Sequence, residues 1–254
     1  MNIWNSDGFR KFEEVTITCS KCFVGHLKAI KGAVQITPEG QEYSEMQYPH
    51  GIKHIFTAIF KCSNNGCKEV FSCTGEVDKE IDQTVQDDQG EFYSDIFDFY
   101  QPKFFYPNLR YFDHSGKIPK KISVQIDYSF SNFFSDLASA ANRLRSSVEV
   151  ILDDVKAPKS TTNSKGKVVK FRTLHDRIEH YKKYQKDISN LMMSIKVIGN
   201  EGSHNYSEIK KSDLIDGYEI LFSILDRLYI KTFKRVASIA SEIVSTKRIR
   251  SKSP

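Results

Sequence analysis

Cys19-Ser-Lys-Cys22 and Cys62-Ser-Asn-Asn-Gly-Cys67 are the two stretches that decide the fold of the N-terminal half. Each follows a segment typical of a β-strand and holds two thiols across a short turn. Two such turns, brought together by a hairpin, supply four thiolates in the tetrahedral arrangement that zinc prefers. The sequence therefore predicts a structural zinc site with the ligands Cys19, Cys22, Cys62 and Cys67, which leaves no coordination position for a substrate.

Two alternatives remain open for this site. The second motif, with four residues between its cysteines, is less specific than a second C-x2-C, so His26 or Cys73 can replace one ligand. The other alternative is a set of buried reduced thiols without metal. The chain has five cysteines, an odd number, which favours metal binding in a reducing compartment over disulfides. We expect Cys73 to be a small core residue.

The composition is that of a folded globular protein. The chain has 254 residues, of which 39% are hydrophobic and 12% aromatic, enough for one large core or two modest ones. No run approaches the roughly 18 apolar residues of a membrane span. The segment from Met1 to Phe12 has neither a basic start nor an apolar stretch. We therefore expect a cytoplasmic protein without membrane association.

The hydrophobic pattern divides the chain into a β-rich part and a helical part. Short alternating runs such as 55–60 predict strands in residues 1–100, which we assign to a zinc-binding β-rich module. Residues 101–121 contain three prolines among aromatic residues and predict an ordered linker. Helical spacing of apolar residues then predicts a helical bundle in residues 122–254. The expected fold class is α+β, a zinc-bound β-rich module followed by an all-α bundle.

Within the bundle the pattern predicts four helices. The first is expected from about Tyr128 to Asp154, two more lie between Leu174 and Gly199, and the last follows Ser212-Asp213. The polar and basic stretch 157–167 is expected to be a mobile loop.

Charge is unevenly distributed although the net charge is only +5. Residues 76–98 contain nine acidic residues and the single base Lys79, whereas residues 156–172 contain six bases and no acid. Such runs usually form a solvated surface. The more specific interpretation is that the basic run binds phosphate. The candidate nucleic-acid-binding residues are Lys165, Lys167, Lys170 and Arg172.

Two further groups of residues are candidates for a functional site. Arg145 and Glu149 stand four residues apart on a predicted helix and can form an ion pair. In Gly199-Asn-Glu-Gly-Ser-His204, an amide and an imidazole stand four residues apart, and histidine can exchange a proton near neutral pH. A structural role is the common one for a lone histidine of this kind.

The order of the cysteine turns, the Pro-aromatic segment, Arg145-x3-Glu149 and Gly199-Asn200-x3-His204 resembles the bacterial domain of unknown function 4145 over nearly the whole chain. That family is similar to the HEPN helical superfamily and is often fused to restriction or phage-defence proteins. The resemblance implies a metal-independent ribonuclease with an Arg-x4-6-His motif, acting as a homodimer. The sequence departs from the motif at Gly199, which occupies the arginine position.

The departure leaves two interpretations of the helical site. Arg145 can supply the missing charge as a phosphate clamp, with His204 as proton donor or acceptor, Asn200 as its orienter and Glu149 beside Arg145. Alternatively, these four residues form a buried polar network that fixes helix register.

The function hypotheses follow the same division. The first is an accessory or effector protein of an anti-phage defence or restriction system that binds or cuts RNA together with other defence proteins. The second is a non-catalytic, zinc-stapled module that dimerises through its last helix, with its acidic stretch facing a basic partner. A nucleotide-binding regulator ranks last, because the sequence contains neither a P-loop nor a Gly-rich dinucleotide turn.

Overall fold

The structure is a computed structural model of the whole chain. It describes residues 3–12, 16–45, 54–86, 92–114, 116–204 and 209–246. By internal contacts the chain divides into two compact units. The first comprises Met1–Asp113, Asp127–Ala140 and Lys210–Ser212, and the second comprises His114–Ile126, Ala141–Ile209 and Asp213–Pro254.

The first unit is built on a five-stranded antiparallel sheet in which each strand pairs with its neighbour in sequence. Alternation fixes its faces: on the third strand Phe56, Ala58 and Phe60 are buried, whereas Thr57 and Lys61 are exposed. The strands are β1 (Ile17–Thr18), β2 (His26–Ile36), β3 (His54–Cys62), β4 (Val70–Gln86) and β5 (Phe92–Tyr106), and helix α1 (Pro38–Glu45) follows β2.

Aromatic packing fills the core of this unit. Phe9 pairs with Tyr100 through two backbone hydrogen bonds of 3.0 and 2.8 Å, and their rings stack with centroids 5.5 Å apart. Trp4 packs edge-on against Phe133 with centroids 4.8 Å apart. The strand β5 also continues through residues 101–106 of the predicted linker, because the prolines there lie at the bulge and at the end of the strand rather than within a ladder.

Six further helices, a small hairpin and a π-helical turn follow β5 in the described part of the chain. They are α2 (Lys120–Asn132), α3 (Leu137–Asp154), β6 (Ser160–Thr162), β7 (Val168–Lys170), α4 (Leu174–Tyr181), α5 (Lys186–His204), α6 (Lys211–Leu225) and α7 (Thr232–Thr246); the π-helical turn Asp226–Ile230 joins α6 to α7.

The single helix predicted from Tyr128 to Asp154 is wrong, because the chain breaks between α2 and α3. Asp136 starts the new helix by accepting hydrogen bonds from the backbone N–H of Ser139 at 2.9 Å and from its hydroxyl at 2.6 Å. These bonds lower the pKa of the Asp136 carboxyl, as expected for a charged N-terminal cap. The apolar stripe hid the break because it continues across it.

The stretch expected to be a mobile loop instead forms a β-hairpin. Residues 160–162 pair with 168–170, and the turn between them is held by the Asn163 side chain, which accepts bonds of 3.0 Å from the backbone N–H groups of Lys165 and Lys167. Gly166 has a φ of +73°, which the turn requires and glycine readily adopts. Asn163 and Gly166 were therefore turn signals within a basic segment.

The helix predicted to end near Gly199 runs on to His204, because Gly199 serves packing rather than capping. A Cβ on Gly199 would lie 2.4 Å from Cβ of Arg145 on α3. Gly217 on α6 makes a similar approach, with an added Cβ 2.5 Å from Cδ2 of Leu144. Thus α5 and α6 both pack on neighbouring residues of α3 through a glycine.

The two glycines offer a matched test of this packing. We expect Gly199→Ala to lower the free energy of unfolding by about 1–3 kcal/mol, because the Cβ of Arg145 moves only with the backbone of α3. Gly217→Ala should be close to neutral, because the Leu144 methyl can rotate away and alanine favours the helix by about 1 kcal/mol. Urea unfolding followed by circular dichroism measures both. A Gly199→Ala protein as stable as Gly217→Ala would contradict this account.

Candidate metal centre and helical-domain site

The four cysteines of the two N-terminal motifs meet at one end of the sheet. Their Sγ atoms all lie within 4.8 Å of one another, with Cys19 and Cys67 3.8 Å apart and Cys22 and Cys62 3.7 Å apart. The strand register produces this meeting: Leu27 pairs with both Ile17 and Cys62, so the turn after β1 and the turn after β3 lie side by side. The cluster can hold a metal ion.

Backbone hydrogen bonds shape both turns around the sulfurs. The N–H of Gly25 points at Sγ of Cys22, and the N–H of Asn64 points at Sγ of Cys62, both at 3.4 Å. Phe23 and Lys68 each come directly after the second cysteine of a motif. Both have a left-handed backbone, with φ of 52° at Phe23 and 55° at Lys68. Each turn thus directs one backbone donor at a sulfur, and each has a left-handed residue directly after its second cysteine.

The two turns are also fastened to each other. His26 N–H donates to Oγ of Ser63 at 3.0 Å, and Ser63 N–H donates to the carbonyl of His26 at 2.8 Å. A Cβ on Gly25 would lie 2.6 Å from Sγ of Cys62, so only glycine permits this approach of the first turn to the second.

The protonation of the thiols follows their surroundings. The backbone N–H groups of Gly25 and Val24 lower the pKa of the Cys22 thiol to about 6. Burial raises the pKa of Cys19 to about 12 and also raises that of Cys62. A cation among the sulfurs is what would hold all of them as thiolates together.

The two residues considered as replacement ligands lie outside the cluster. Cys73 is 2% exposed in the interior of β4, and burial raises its pKa. His26 is exposed on β2. Among the described residues, the only group of histidine, cysteine and carboxylate side chains close enough to share a metal is the set of four cysteines.

In the second unit, Arg145 and Glu149 form the ion pair expected from their spacing. The Arg145 Nη2 and Glu149 Oε1 atoms are 3.5 Å apart on α3, and the Arg145 side chain is 30% exposed. An ion pair this open contributes little stability. Arg145 also packs against Gly199 of α5, and the next residue of that helix, Asn200, is half-buried.

The remaining parts of the predicted helical site are only partly assembled. Within the described contacts, no hydrogen bond joins Arg145 to Asn200, and Nε of Arg145 is buried without a partner. His204 ends α5, and its side chain lies outside the described residues. The structure thus packs Arg145 against Gly199, the residue before Asn200, and the described contacts include no hydrogen-bonded network between Arg145 and Asn200.

The four candidate nucleic-acid-binding residues lie on or beside the β6–β7 hairpin and are all exposed. None of the four forms an ion pair within the described part of the chain: Lys165, Lys167, Lys170 and Arg172.

The base of the hairpin depends on residues that the sequence patterns did not single out. Asp153 at the end of α3 contacts Nζ of Lys159 at 2.9 Å and Nη2 of Arg177 at 2.7 Å. The hydrogen bond from Lys159, together with Arg177, lowers the pKa of the Asp153 carboxyl. Arg177 also donates to the carbonyl of Ala157 at 3.1 Å. No local motif signals this anchor, because its members are more than twenty positions apart at the extremes.

None of the helices in the described ranges is long and apolar enough to cross a membrane.

Comparison with known families gives one match to each half of the chain. Residues 7–105 match the family model described as "Domain of unknown function (DUF8608)". Neither curated proteins nor solved structures gave a significant match. Residues 129–252 match the family model described as "Domain of unknown function (DUF4145)", which supports the resemblance drawn from the helical motifs and confines it to the C-terminal part rather than nearly the whole chain.

Proposed function

We propose that this chain is a cytoplasmic, non-catalytic RNA-binding accessory protein, held by a structural zinc ion in its first unit and presenting a basic hairpin from its second. The observation that carries the proposal is the hairpin: four exposed cations stand on a structured projection, and no described carboxylate neutralises them. Phosphates are the partners that such an array attracts. The assignment to anti-phage defence, with other defence proteins as partners, rests on the family resemblance alone.

Zinc is the metal that suits the cysteine cluster best. A zinc–sulfur distance of about 2.3 Å in a tetrahedron places two sulfurs about 3.8 Å apart. Two of the sulfur pairs, at 3.8 and 3.7 Å, agree with this spacing. Four sulfur donors fill the coordination sphere, so the ion would stabilise the fold and would not activate water.

Metal analysis of substituted proteins tests the zinc site. We expect about one zinc per chain in the wild type and in Cys73→Ala, and none in Cys22→Ser, because only the latter removes a ligand. Cys22→Ser should also unfold the first unit at lower urea concentration, since metal binding is coupled to folding. Cys73→Ala is the matched control because it removes a thiol from the same sheet. Metal-free wild-type protein, or iron in place of zinc, would contradict the proposal.

RNA binding through the hairpin is tested with two variants that each lose three positive charges, one at the hairpin and one elsewhere. We expect Lys165→Gln, Lys167→Gln and Lys170→Gln together to weaken binding of single-stranded RNA and to reduce the slope of log affinity against log salt by about 2, as three lost phosphate contacts require. The control removes three exposed lysines elsewhere, with Lys120→Gln, Lys183→Gln and Lys186→Gln. Equal behaviour of the two triple variants in fluorescence anisotropy would rule out a specific role for the hairpin.

A metal-independent ribonuclease is the second candidate, favoured by one observation. Arg145 packs directly against Gly199, beside Asn200, which is where a substitute for the missing arginine has to lie. Against it, Arg145 is turned toward Glu149, and its guanidinium is only partly exposed to a substrate. A phosphate clamp needs its charge free to meet the developing phosphorane.

Incubation with cellular RNA in EDTA separates the two candidates. We expect no cleavage by the wild type or by His204→Ala on a denaturing gel, because the proposed role is binding. EDTA silences contaminating metal-dependent nucleases. Because EDTA can also remove the proposed structural zinc, circular dichroism in the same buffer checks that the helical unit stays folded. Cleavage by the wild type that His204→Ala abolishes would replace the binding proposal with the ribonuclease. The binding measurement, repeated in the EDTA buffer, tests whether the protein used in this assay binds RNA.

Self-association is the remaining alternative role, supported by α7. Val236, Ile243 and Val244 are exposed on this helix, and the apolar positions recur at helical spacing. A two-stranded contact between copies would cover them. A homodimer built this way is compatible with RNA binding, since α7 does not carry the hairpin cations.

A further inference from the structure

The outer face of the sheet in the first unit carries two aromatic rings exposed to solvent. On β5, Phe105 is 7% exposed and belongs to the core, whereas its neighbours Phe104 and Tyr106 are 57% and 78% exposed. Alternation along the strand places both rings on the same outer face, about 7 Å apart. Large aromatic side chains left in water side by side indicate a binding surface more often than a solvated one.

The strand register places a small residue of β4 beside each ring. Tyr106 lies opposite Ser72 of β4, and Phe104 lies opposite Thr74. Because Ser72 and Thr74 are small, a flat group of a ligand can lie against the face of either aromatic ring. Across β4, β3 and β2 the two rows read Tyr106, Ser72, Ile59, Lys31 and Phe104, Thr74, Thr57, Ala33.

Two cavities adjoin the Tyr106 side chain. One, of about 390 Å³, lies over the outer face and is lined by Thr57, Ser72, Thr74 and Phe104, among others. The other, of about 400 Å³, leads toward the first cysteine turn. Its lining includes Ser20, Lys21, Glu69, Pro107 and Arg110. Tyr106 and Asn108 line both, so the ring stands between two spaces of the size that small ligands occupy.

Exposed lysines lie on the part of this face that β2 and β3 form. Lys28, Lys31 and Lys61 lie on the outer side of β2 and β3, all exposed, and no described carboxylate forms an ion pair with them. Alternation along β4 places the acids Glu76, Asp78 and Glu80 on the same face, farther along the strand from Ser72 and Thr74. Glu76 is paired with Lys103 at 3.2 Å, and Asp78 accepts a hydrogen bond from Gln101 at 2.8 Å. In the second cavity Glu69 is the remaining acid besides Asp127, which is paired with Arg110 at 3.0 Å. A ligand with flat rings and negative charges matches this surface.

We propose that the outer face of the sheet binds single-stranded RNA, with Phe104 and Tyr106 stacking on bases and Lys28, Lys31 and Lys61 contacting phosphates. Aromatic platforms of this kind bind single strands because every base offers a π face, and the contact tolerates sequence change. A second copy of the chain suits the face less well, because a two-fold contact would bring the same lysines together. The inference rests on the proposed function in assigning RNA to the chain, but different residues carry it.

The test separates base contacts from phosphate contacts. Full-length wild type, Phe104→Leu/Tyr106→Leu and the control Tyr128→Leu, which removes a half-exposed ring on α2, are titrated into a labelled uridine oligomer of about 12 nucleotides. The same titration uses an abasic oligomer of equal length. We expect the double variant to lose about tenfold or more in affinity for the uridine oligomer, with an unchanged salt slope. On the abasic oligomer it should equal the wild type.

The outcomes distinguish this inference from the hairpin proposal. A double variant that binds the uridine oligomer as tightly as Tyr128→Leu overturns the aromatic platform, whatever the hairpin variant does. Loss of binding in the double variant alone, with the hairpin variant unaffected, supports the platform and removes the hairpin. If the double variant changes the mass of the protein in light scattering without changing RNA affinity, the face binds a second copy and the inference is wrong. Thermal unfolding of the double variant confirms that it is folded.

Discussion

The convergence of four sulfurs at one end of the sheet is the constraint on which the N-terminal unit depends. β1 has only two residues, too few to hold its place by ladder hydrogen bonds alone. Its position is fixed by the first cysteine turn, which is fastened to the second through His26 and Ser63 and through the sulfurs themselves. With both turns fixed, the register of β2 on β3 follows, and so does the side of the sheet on which each residue lies.

The second unit obeys a different constraint, the close approach of helices through glycine. Gly199 and Gly217 let α5 and α6 reach adjacent positions of α3, at Arg145 and Leu144. Glycine at 199 is therefore required by packing, because a side chain there would occupy the space of Arg145. The positive charge at this contact comes from Arg145 on α3.

Sequence reasoning worked where the signal was local and failed where it depended on partners. The cysteine turns were predictable because metal-ligand spacing is a local pattern that hairpin pairing completes. The break at Asp136 was missed because the apolar stripe crosses it, and the end of α5 was misplaced because glycine at 199 was interpreted as a cap. The exposed rings of Phe104 and Tyr106 had a signal, their alternation with buried Phe105, but proline nearby suggested a linker instead of a strand.

The two proposed RNA surfaces differ in what they can recognise. The β6–β7 hairpin offers cations on a narrow projection, so it can follow phosphates but has no flat surface for a base. The outer sheet face has aromatic rings with lysines at one side, so unpaired bases can stack on the rings. The bases of double-stranded RNA are already stacked on one another and cannot make this contact. A protein with both surfaces would bind many nucleic acids weakly through charge and would bind single strands more tightly through stacking. Under these two proposals, selectivity for unpaired RNA would come from the sheet, whose strands are joined at one end by the cysteine cluster.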